Sequence, residues 1–75
     1  MVYRYFVNVG TLQAKDKTGW IGCWYIYDRT ASDPLHPLLS GRSMHAWRDA
    51  KSSLVAAYEE ALLHINALTA AARGQ

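Results

Sequence analysis

The chain has 75 residues, a formal net charge of +2, one cysteine and three histidines. That length is one domain at most, and so small and dispersed a charge does not mark a nucleic-acid footprint. Cys23 stands alone, which excludes an intrachain disulfide. A domain this short buries only about 60–65% of its unfolded surface, so association is the most available source of added stability.

The opening Met1-Val2-Tyr3-Arg4-Tyr5 has no basic segment ahead of a long apolar one. No uncharged apolar run approaches the roughly 18 residues that a membrane-spanning helix requires. A cytoplasmic protein without a membrane partner is therefore expected, with residues 1–75 forming a single domain.

The first strand is expected over about residues 2–12, where aromatic and β-branched residues suit a pleated, half-buried surface. Tyr3, Tyr5, Val7 and Val9 share one face by period two, and Arg4, Phe6 and Asn8 the other. Ala14-Lys15-Asp16-Lys17-Thr18-Gly19 is a polar segment ending in glycine, suited to a hairpin loop. The second strand follows over about residues 20–28. There Trp20, Gly22, Trp24 and Ile26 alternate with Ile21, Cys23, Tyr25 and Tyr27, so both faces are apolar.

Asp33-Pro34 and His36-Pro37 rule out a regular central strand in the next segment. A short edge strand over about residues 38–41 would complete a meander. Ser43 is placed to cap a helix over about residues 44–72, with Gly74 as its terminator. Trp47, Ala50, Leu54, Tyr58, Ala61, Ile65 and Leu68 fall in one stripe at about 100° per residue. The fold class is thus α+β, a two- or three-stranded antiparallel meander with one long C-terminal helix packed on one sheet face.

Two features point to association. A helix of roughly 29 residues is about 43 Å long, against ~27 Å for an eight-residue strand, so its C-terminal third would overhang the sheet. One helix also covers only one sheet face, yet apolar side chains lie on both. Tyr5, Ile21, Tyr25 and Tyr27 on the sheet, with Leu63, Ile65 and Leu68 on the helix, are the candidate interface of a homodimer or of a contact with another protein.

Signals for catalysis are weak. His36, His45 and His64 are not within a helical turn of one another, and Cys23 sits mid-strand between Gly22 and Trp24. Neither a metal site nor a cysteine nucleophile follows from that spacing. Glu59 and Glu60 are adjacent on the helix and diverge by about 100°. His64 has Glu60 one turn before it as an ion-pair partner. No enzyme activity and no cofactor are expected. The alternative to a protein contact is nucleic acid, with Tyr5, Tyr25 and Tyr27 stacking bases and Arg4, Lys15, Lys17 and Arg29 holding phosphates.

Gly41-Arg42-Ser43 followed by Ala50…Ala57-Tyr58-Glu59-Glu60-Ala61 is similar to HicB-like antitoxin domains, where strands precede a capped, Ala/Glu-rich helix. The resemblance implies a regulatory, antitoxin-like role within the nucleic-acid alternative. It covers about half the chain and carries over no binding residue. The helix here is longer than that family's, and its Gly-Cys segment before the cap has no counterpart.

Overall fold

A computed structural model of the chain describes residues 4–43 and 45–73. Strands β1 (Tyr5–Gln13), β2 (Trp20–Asp28) and β3 (Leu39–Arg42) precede helix α1 (Ala50–Arg73). The sheet is an antiparallel meander in the order β1-β2-β3, and α1 packs across β1 and β2. The α+β architecture read from the sequence is the one observed, with the third strand present. Val2, Tyr3, Met44 and Gly74, expected at the ends of elements, lie outside the described residues.

The β1–β2 hairpin closes where the Ala14 amide donates to the Gly19 carbonyl at 2.8 Å. Inside that loop Lys17 takes a positive φ of 59°. The Asp16 carboxylate accepts from the Thr18 amide and hydroxyl, which fixes the turn. The resulting register pairs each odd residue of β1 with an even residue of β2: Tyr5 with Asp28, Val7 with Ile26, Thr11 with Gly22. Paired residues share a face. Tyr5, Val7, Val9 and Thr11 therefore lie on the same side as Gly22, Trp24, Ile26 and Asp28.

That side meets the helix. Trp24, Ile26, Ala57 and Ala61 form the buried core, with Tyr5, Val7 and Ile65 packed against them. The approach is close because the contacting residues are small. Ser53 and Ala57 lie directly over Gly22, where an added Cβ would overlap the Ser53 carbonyl. Ser53 is fully buried and its hydroxyl is satisfied. It donates to the Ala50 carbonyl at 2.7 Å and accepts from the Thr11 hydroxyl at 2.6 Å. Beside this seam the Trp24 ring lies over Gly41 and stacks on His64, with centroids 4.6 Å apart. His64 thus packs on an indole; among the described residues the carboxylates paired with basic side chains are Asp28, with Arg4, and Asp33, with the His36 ring, not Glu60 with His64.

The helix begins at Ala50, six residues after the expected start. Ser43 is used by the sheet instead: its amide donates to the Gly22 carbonyl, and its hydroxyl accepts from the Gly22 amide at 3.1 Å. The chain then returns to β2 at Trp47, which exchanges both backbone hydrogen bonds with Trp20 at 2.7 Å each. Trp47 is therefore bridged to a strand and does not belong to the helical stripe. Asp49 is the true cap, its carboxylate accepting from the Ser52 amide at 2.7 Å. With 24 residues, the helix is about 36 Å long, and strands of nine residues reach about 30 Å. Ile65 is the last helix residue packed against the core, beside Tyr5 at the start of β1, so the helix continues to Arg73 beyond its last core contact.

Two outcomes follow for stability. Gly22→Ala is expected to destabilise by about 1–3 kcal/mol, because the helix must retreat from the sheet. Gly10→Ala, where an added Cβ meets nothing within 4 Å, stays within about 0.5 kcal/mol; urea denaturation compares the two. Asp49→Ala is expected to lower the melting temperature while Asp49→Asn largely retains it, since asparagine caps equally well.

Candidate interaction surface

Among the described residues no helix covers the other side of the sheet. It carries Phe6, Asn8, Gly10 and Leu12 from β1, Ile21, Cys23, Tyr25 and Tyr27 from β2, and Ser40 and Arg42 from β3. None of these is a carboxylate. Phe6 and Tyr27 stack with centroids 4.9 Å apart and planes 14° apart, and the Arg29 guanidinium lies 5.3 Å from the Phe6 centroid. Tyr25, on the central strand, is 38% exposed, and Leu12 and Phe6 are similarly open. Cys23 is buried among them.

The structure brings together Ile21, Tyr25 and Tyr27 of the expected interface. It places Tyr5 and Ile65 against the core, on the helix side, and Leu68 is half-buried. Leu63 is 69% exposed and lies apart from the sheet, in an open groove of about 340 Å³ with Ser43, His45, Trp47 and Glu59. Phe6 and Leu12 were missed. Their signal is the hairpin register, because opposite parity on two paired strands puts even residues of β1 beside odd residues of β2.

A second apolar region runs along the free edge of β1. There Tyr58, Leu62 and Ile65 of α1 face Tyr5, Phe6 and Val7 across a groove of about 540 Å³ that ends at Arg29. The opposite flank of the helix carries Ser52, Glu59 and Glu60 as well as Leu63.

The basic candidates are dispersed. Lys15 and Lys17 sit in the hairpin turn, Arg29 lies on Phe6, and Arg4 is engaged by Asp28. Arg4 donates through Nε and a terminal nitrogen to the Asp28 carboxylate at 3.0–3.2 Å. The Thr30 amide and hydroxyl donate to the same carboxylate at 2.9 and 2.7 Å. These bonds, the one from Arg4 foremost, hold the Asp28 carboxyl down at about 2. His36, His45 and His64 lie on different elements: His36 against Asp33, His45 against Trp47, and His64 on Trp24. Among the described residues no three His, Cys, Asp or Glu side chains are grouped to hold a metal ion, and no helix is long and apolar enough to cross a membrane.

Comparison with known proteins gives no family model that matches the chain, no similar curated protein and no similar solved structure.

A carboxyl held low in the folded state contributes its full stability above the unfolded value near 4, and loses it as pH falls toward 2. Asp28→Asn should therefore be less stable than the parent at pH 7. The gap should narrow between about pH 5 and pH 2, as thermal unfolding at stepped pH would record.

Proposed function

We propose that this chain is a small non-enzymatic interaction module that works by self-association, using the uncovered sheet face centred on Tyr25. The observation that carries it is the composition of that face. Phe6, Leu12, Ile21, Tyr25 and Tyr27 lie on one side of a three-stranded sheet, and among the described residues no element lies above them. A contiguous apolar patch of this kind marks a contact surface. A second copy related by a two-fold axis is its commonest occupant. Tyrosine suits the role, since its ring can be covered while its hydroxyl finds a partner.

Nucleic acid is the second reading, including the antitoxin-like role. It is favoured by one feature, the absence of carboxylates from the strand residues of that face, beside Arg29 and Arg42. The aromatic geometry favours protein. Phe6 has one ring face against Tyr27 and Arg29 near its ring, so a stacking base would compete with them for that ring.

Light scattering on the intact chain is expected to give at least twice the mass of 8.4 kDa. Tyr25→Lys should lower that mass without changing the far-UV circular dichroism. A parent chain that stays monomeric at all concentrations would remove self-association. Binding of single-stranded oligonucleotide that weakens steeply with salt would favour the second reading.

A further inference from the structure

We infer that the free edge of β1 is a second self-association seam, pairing antiparallel with β1 of another copy to make a continuous six-stranded sheet. It shares with the proposed function the premise that copies of this chain associate, but it uses a different surface.

The first observation is the edge itself. β1 is an outer strand of nine residues reading Tyr-Phe-Val-Asn-Val-Gly-Thr-Leu-Gln, with no proline and no charged side chain. Strand edges are ordinarily guarded by brevity, charge, proline or a bulge. The other edge has such protection: β3 has four residues, ends in Arg42 and follows the Pro34 and Pro37 loop. The backbone bonds Arg29 to Arg4 and Ala14 to Gly19 fix the alternation along β1. Its even residues bond to β2, so the amides and carbonyls of Tyr5, Val7, Val9, Thr11 and Gln13 point outward. No hydrogen bond among the described residues reaches these groups.

The second observation is the helix flank above that edge. Tyr58 and Leu62 overlook it and are 48% and 37% exposed. They continue from Leu54 at four-residue steps, so one side of the helix presents an apolar row.

Both features suit a second copy of this chain. An antiparallel strand pairs with itself about a two-fold axis, and here the axis passes through Val9. Val7 then meets the mate's Thr11, and Phe6 the mate's Leu12, with no like charges opposed. Because α1 lies over β1 and β2, the strand spacing of about 4.8 Å sets the two helices about 10 Å apart. That is the interaxial distance of packed helices, and the facing rows are Tyr58 and Leu62 from each copy. An unrelated strand would satisfy the edge but not this match between helix rows.

Val9→Lys guards the edge, and Leu62→Lys charges the helix row; both positions are 37% exposed. Each is expected to halve the mass measured by light scattering, with the circular dichroism unchanged. Tyr25→Lys, on the other face, is expected to leave this seam intact. If Val9→Lys and Leu62→Lys both keep the parent mass, the seam is wrong whatever Tyr25→Lys does. Loss of association only in Tyr25→Lys would leave the outer-face contact standing and overturn the edge contact. A parent chain that is monomeric overturns both.

Discussion

The contact of Ser53 and Ala57 with Gly22 sets the geometry of the whole domain. A helix resting on large side chains would stand about 10 Å above its sheet. Here the absent Cβ of Gly22 lets the Ser53 backbone reach the strand. That proximity is what allows two hydroxyls, those of Thr11 and Ser53, to meet inside the interface. Buried polar groups at such a place are tolerated because each has a partner. It also dictates where bulk must go. Trp24 fills the space to one side, over Gly41 and against His64.

On the other side the bulk rides outward. With Ser53, Ala57 and Ala61 occupying the line of closest approach, the larger apolar residues Leu54, Tyr58 and Leu62 are set on the flank above β1. The helix is therefore amphipathic in an offset sense: its most buried line is its smallest, and its apolar excess leans past the sheet. Tyr58 and Leu62 are exposed apolar surface of this origin. The sheet carries aromatics on both faces, Tyr5, Trp20 and Trp24 toward the helix and Phe6, Tyr25 and Tyr27 away from it.

Element order and strand positions were legible because period-two alternation and the Gly19 turn are strong local signals. The helix start was not. Ser43 and Asp49 are both good caps, and Trp47 falls in step with the helical stripe, so periodicity extended the helix over a segment that bonds to β2. The core line was also obscured, since Ser53, Ala57 and Ala61 carry little hydrophobic signal. Of the candidate surface, alternation groups Ile21, Tyr25 and Tyr27 on one face but leaves open which face meets the helix, and the structure turns that group outward. Tyr5 does not join them, because its face is set by register with β2, which is a property of the pair and not of either strand.

The reciprocal pair between Trp20 and Trp47 tethers the start of the helix to the sheet. The β1–β2 hairpin is local and closes with little loss of chain entropy. The returning segment through Ser43 and Trp47 lies along β2 and leads directly into the first turn of α1, held over Gly22. Helix docking is in this way an intramolecular step from a tethered end, which favours rapid, cooperative completion. It also grades the native state: β2, bonded on both sides, is the last to open, and the C-terminal turns of α1, farthest from the tether, are the first.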